Sequence, residues 1–131
     1  MIILTFVVSA IAPQAVTERL ATTLEAPQPP RVVETYPATG AQVAAGKLAI
    51  RVTFDQPMRP GSYSYIARDP ASTPACDGRP VQSADGRSFT MTCELEAGRA
   101  YVLGFNDARH RNFTSLSGLP ATPSVLRFSA R

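Results

Sequence analysis

The chain has 131 residues, 44% hydrophobic and 18% charged, which fits one domain with one core and excludes a disordered polyelectrolyte. The formal net charge is +3, yet Arg31, Lys47, Arg51, Arg59, Arg68, Arg79, Arg87, Arg99 and Arg127 are scattered among acidic residues. That lacks the concentrated basic face of a nucleic-acid binder, so no nucleic-acid partner is expected.

Met1 to Ala12 reads M-I-I-L-T-F-V-V-S-A-I-A. It is apolar and far shorter than the roughly 20 residues a spanning helix needs, so no transmembrane segment is expected. Ala10-Ile11-Ala12 is a small-residue site of the kind signal peptidase accepts, and Val8-Ser9-Ala10 is a second. We read 1–12 as a signal peptide and the protein as secreted or periplasmic. The competing reading is a buried first strand. Pro13 to Pro30 ends Ala26-Pro27-Gln28-Pro29-Pro30. Closely spaced prolines block helix and central strand alike, so 13–30 reads as a linker.

From residue 31 the apolar pattern has period two. Leu48, Ile50, Val52 and Phe54 alternate with Ala49, Arg51 and Thr53, and Phe89, Met91, Cys93 and Leu95 alternate with Thr90, Thr92 and Glu94. Tyr101, Leu103 and Phe105 repeat the pattern, as do Leu126 and Phe128. Successive strand side chains point to opposite faces, so each run has an apolar face for the core and a face for solvent. Turn signals separate the runs: Pro37 to Gly40, Asp55-Gln56-Pro57, Asp85-Gly86 and Glu96-Ala97-Gly98. Seven strands are predicted: Val32–Tyr36, Lys47–Phe54, Tyr63–Ala67, Pro80–Ser83, Ser88–Leu95, Ala100–Phe105 and Val125–Ser129. The fold class is all-β, an immunoglobulin-like β-sandwich over 31–131.

Cys76 and Cys93 are the two cysteines, and in an exported chain they are expected to form a disulfide. The hairpin register bears on this. If Gln82 and Arg87 close a four-residue loop, Cys76 lies opposite Cys93. If Asp85-Gly86 is a two-residue turn, Cys76 lies opposite Leu95, and the cysteines are only diagonal neighbours.

Catalytic chemistry finds little support. His110 is the sole histidine, no serine sits in a G-x-S-x-G elbow, and no evident carboxylate orients the imidazole. One histidine and two separated cysteines are a poor zinc set, and no D-x-D-x-D-G calcium loop occurs, so no metal or cofactor is expected. The sequon Asn112-Phe113-Thr114 matters only in a eukaryotic secretory pathway.

The most ligand-like segment runs from Asn106 to Pro123 and carries Arg109, His110, Arg111, Asn112 and Phe113. Loops of this length tend to be functional or disordered, and arginine with an exposed aromatic anchors interfaces. The plainer reading is that Phe113 and Leu116 tuck onto the sandwich and tie the loop down.

Several stretches carry a family likeness. Pro30 to Val33 leading into Tyr36-Pro37-Ala38-Thr39-Gly40-Ala41, the run Val52-Thr53-Phe54-Asp55-Gln56-Pro57-Met58, Leu95 to Tyr101, and Gly118-Leu119-Pro120 before Phe128 resemble the bacterial Ig-like domains first named from the SbsA surface-layer protein. The resemblance covers about Pro30 to Arg131. It implies a non-catalytic spacer or binding module of exported proteins. The expected function is contact with an unidentified protein or glycan of the cell envelope. A purely structural envelope role is the alternative, and an enzyme or enzyme inhibitor is the outside one.

Overall fold

A computed structural model describes residues 2–5 and 26–131. Most of the signal segment and most of the linker therefore lie outside the described residues. Ile2, Ile3 and Leu4 are exposed and take no part in the core.

Among the described residues eight strands form, in the order β1 (Val32–Tyr36), β2 (Gln42–Val43), β3 (Gly46–Phe54), β4 (Tyr65–Ile66), β5 (Ala75–Gln82), β6 (Ser88–Leu95), β7 (Ala100–Phe105) and β8 (Ser124–Ala130). They make two four-stranded sheets, β1-β3-β6-β5 and β2-β8-β7-β4. All pairings are antiparallel except β2 with β8. This is the expected immunoglobulin-like sandwich.

The period-two runs explain the packing. In β3, Ile50, Val52 and Phe54 are buried while Lys47, Ala49 and Arg51 are exposed. Phe89, Cys93 and Leu95 of β6 complete the inner face of one sheet. Tyr101, Leu103, Phe105, Leu126, Phe128 and Ala130 of β7 and β8 form the facing layer. Burying each large side chain contributes about 1.5–3 kcal/mol. Tyr101 lies at the start of β7, stacked on Phe128, and its hydroxyl accepts the Glu96 N–H at 2.7 Å. This contact has the form of the tyrosine corner that locks the turn between two strands in such sandwiches. Gly104 has no room for a side chain: a Cβ there would lie 2.9 Å from Ile66 Cβ, so glycine lets β4 close over β7.

The structure departs from the expected strands in three places. The two-residue β2 is too short to show alternation. The strand expected over Tyr63–Ala67 pairs only through Tyr65 and Ile66. The strand expected over Pro80–Ser83 begins at Ala75, because β5 continues through a bulge.

That bulge settles the cysteine geometry by a route neither hairpin alternative contains. The hairpin closes with Ser83 N–H on Ser88 O, and Gln82 faces Phe89. Continued unbroken, this register would set Cys76 opposite Leu95. Instead, three residues of β5 between Asp77 and Val81 oppose one residue of β6, and Cys76 faces Cys93. Gly78 takes φ 68°, which L side chains rarely adopt, and Pro80 donates nothing to the ladder. The Cys76–Cys93 disulfide joins the two strands across this shifted register.

Candidate functional site: the loop end of the sandwich

The register of the strands puts four segments at one end of the molecule: 26–31, 55–64, 83–87 and 106–123. Backbone bonds tie them together. Arg59 N–H donates to Thr114 O, Met58 N–H to Gly86 O, and Thr122 N–H to Pro30 O. The last residues of the predicted linker are part of this cap, since Gln56 Nε2 donates to Gln28 O; Arg31, the first residue of the predicted domain, donates its N–H to Asp55 Oδ1.

The long segment after β7 is built around Asn106. This residue is 2% exposed and has φ 62°, in the left-handed region that asparagine tolerates better than most residues. Its Nδ2 donates to Phe113 O and Ala121 O, and its Oδ1 accepts Phe113 N–H. One side chain thus fastens both limbs of the loop. Ser64 Oγ accepts Asn112 N–H, and Ser62 donates to Asn112 O. Beyond Phe113, Thr114 bridges to Pro120, and the turn 115–118 is closed by Gly118 N–H on Ser115 O.

Phe113 is not the exposed anchor its position among polar residues suggests. It is 0% exposed. Its ring lies 5.1 Å from Phe54, 5.2 Å from Tyr65, 5.2 Å from Phe89 and 6.2 Å from Phe105. The apolar interior takes the ring because four aromatic faces and edges are worth more to it than one exposed contact. Burial, with Tyr63 nearby, pushes the Tyr65 phenol far above its ordinary pKa. The plainer loop reading holds for Phe113 but fails for Leu116, which is 64% exposed at the tip of the 115–118 turn.

Arg109, His110, Arg111 and Asn112 are all exposed. They are displayed by a second device. Asp107 Oδ1 accepts Arg109 N–H at 2.8 Å and His110 N–H at 2.7 Å, and Asp107 N–H donates to His110 O. The same Oδ1 lies 3.2 Å from His110 Nδ1. His110 therefore does have an orienting carboxylate, three residues before it. The Arg109 and His110 amides and the His110 ring bind that carboxylate locally; the His110 and Asp107 side chains are 66% and 40% exposed. No serine, threonine or cysteine bonds to His110 Nε2 among the described residues, so the pair clasps a turn and lacks the nucleophile a triad needs. The His110 and Arg109 amides hold the Asp107 carboxyl below its usual range. No group of three or more His, Cys, Asp or Glu side chains that could hold a metal occurs among the described residues.

A two-sheet sandwich, a disulfide within one sheet, and loops clustered at one end define an immunoglobulin-like module. Residues 26–130 match the family model described as bacterial Ig-like domain, and the chain belongs to that family. Among solved structures it is similar to CopC from Methylosinus trichosporium OB3b, at 20% identity and TM-score 0.55, covering 77% of this chain and 92% of that one. At that identity the likeness speaks to fold alone. No curated protein matches.

Proposed function

We propose that the chain is an exported, non-catalytic Ig-like module of the bacterial cell envelope, secreted or periplasmic, that acts by contact with a protein or glycan through its loop end. One observation carries the reading. Arg109, His110, Arg111 and Asn112 stand exposed on a loop whose backbone is fixed by Asn106, Asp107 and buried Phe113. A loop ordered before binding loses little entropy when a partner arrives. Two features support export. The Cys76–Cys93 disulfide suits an oxidising compartment, and Met1–Ala12 has the pattern of an export signal. The likeness of Phe54-Asp55-Gln56-Pro57-Met58 to the SbsA type supports an envelope setting.

The test is capture of partners from envelope extract by the wild-type protein and by Arg109→Ala with Arg111→Ala. Loss of a partner from the folded double variant supports the contact reading. Unchanged capture sinks it and leaves the structural role. Turnover abolished by His110→Ala would overturn the non-catalytic assignment.

A further inference from the structure

We propose that the loop end is a docking surface for an acidic polysaccharide, a polymer bearing carboxylate, phosphate or sulfate groups, with Arg59, Arg109 and Arg111 as its guanidinium contacts. This rests on the reading of that end as the working surface and names the chemistry of its partner.

The argument starts from where the local charges are used. The four segments of this end carry five arginines, Arg31, Arg59, Arg87, Arg109 and Arg111, against three aspartates, Asp55, Asp85 and Asp107. Each aspartate is engaged by the protein's own backbone. Asp55 accepts Arg31 N–H, Asp85 accepts Arg87 N–H and the Ser83 hydroxyl, and Asp107 accepts two amides of its own turn. None forms an ion pair with an arginine among the described residues. The arginine ion pairs among the described residues are Arg51–Glu34, on the strands bordering the 83–87 segment, and Arg99–Glu96, at the opposite end. Arg87 spends a guanidinium bond on Asp55 O. The Arg31 guanidinium, on the 26–31 segment, also has no carboxylate partner among the described residues, and on the loops 55–64 and 106–123 Arg59, Arg109 and Arg111 remain exposed without one.

The three sit on two loops that touch. The Arg59 backbone bonds Thr114, and its guanidinium lies beside Gly118; Asn112, next to Arg111, is bonded by Ser62 and Ser64. The surface thus offers planar, permanently charged forks on a fixed frame, which suits repeated anionic groups. Other occupants fit less well. Neutral sugars stack on aromatic faces, and the aromatic of this loop is buried. A stable protein interface has an apolar centre, and Leu116 is the one large apolar side chain exposed here.

The test measures binding of the full chain to dextran sulfate and to polygalacturonate, with neutral dextran as control. Arg109→Ala with Arg111→Ala is compared with Arg79→Ala with Arg127→Ala, which removes the same charge from exposed sites in β5 and β8. Binding to both acidic polymers and not to dextran is expected. It should weaken at least ten-fold between about 50 and 200 mM salt. The loop variant should lose about ten-fold and the control variant no more than about two-fold. Equal losses in the two variants, or no binding to either polymer, overturn the proposal. So does tighter binding to phosphatidylglycerol vesicles than to the polymers with loss on Leu116→Ser, because a membrane is then the occupant. If the polymers fail while Arg109→Ala with Arg111→Ala still abolishes capture of a protein, the polysaccharide falls and the contact reading stands. If both fail, both fall.

Discussion

Replacing Asn106 by alanine removes three hydrogen bonds and leaves a residue with a Cβ at φ 62°. The three bonds are not equal. Phe113 O keeps the Ala121 N–H as a donor, whereas Phe113 N–H and Ala121 O lose the partners described above. Each buried group so orphaned costs about 1–3 kcal/mol, and a left-handed alanine adds about 1–2 kcal/mol. Asn106→Ala should therefore destabilise by about 4 kcal/mol, and Asn106→Gly by about 3 kcal/mol, because glycine relieves only the backbone term. In a domain of this size that corresponds to a fall in Tm of roughly 10–15 °C. Urea unfolding of the three proteins measures the differences, and hydrogen exchange at Phe113 and Ala121 shows whether the loss is local. A cost below about 1 kcal/mol for Asn106→Ala would refute the account of this side chain as the fastening of the loop. A glycine variant weaker than the alanine variant would refute the backbone part.

The Cys76–Cys93 bridge closes a sequence separation of 17, so the chain-entropy account assigns it about 3 kcal/mol. Reduction, or Cys76→Ser with Cys93→Ser, should lower the urea midpoint accordingly; an unchanged midpoint contradicts this. Asp85 is held below its usual carboxyl range by the Ser83 hydroxyl and then the Arg87 amide, and Asp107 by the His110 and Arg109 amides. Their folded pKa values lie below the unfolded ones, so their stabilisation is present above about pH 4 and is lost as pH falls through the folded values. Asp85→Asn with Asp107→Asn, which keeps an acceptor oxygen but cannot titrate, should flatten the decline in Tm from pH 5 to 2.5. A decline as steep as in wild type would exclude these two groups as its source.

Strands that bury one face were legible in detail. Ser88–Leu95 and Ala100–Phe105 form as predicted, and the strands at Lys47–Phe54 and Val125–Ser129 are extended by one residue at one or both ends. Alternation is a strong signal there because solvent and core lie on opposite sides of the same segment. It fails where tertiary contact sets the structure. The strand expected from Pro80 begins at Ala75, because β5 runs through Gly78-Arg79-Pro80 as a bulge on an edge. Phe113 has polar neighbours, so no local period marks it as core; the cavity it fills is made by residues from four other strands and loops. Asn106 following a strand carries no pattern that separates a fastening side chain from an exposed one. Asp107 three residues before His110 was a readable signal, since aspartate commonly caps its own turn. The exposed Arg109 and Arg111 were visible as a cluster, but their freedom from ion pairs depends on where Asp107 points.

The bulge in β5 also limits how copies of the molecule can associate. Open-ended growth by strand addition needs two receptive borders, since each newcomer must occupy one and offer another. One border of the β1-β3-β6-β5 sheet is β5, where Gly78 and Pro80 interrupt the row of donors and acceptors. In the second sheet, β2 and β4 present two residues each. Among the described residues only β1 remains, five residues long with a register shift of its own between Val32 and Glu34. Two copies joining along β1 would consume the single usable border of each, so pairing of this kind ends at a dimer and cannot propagate into a fibre.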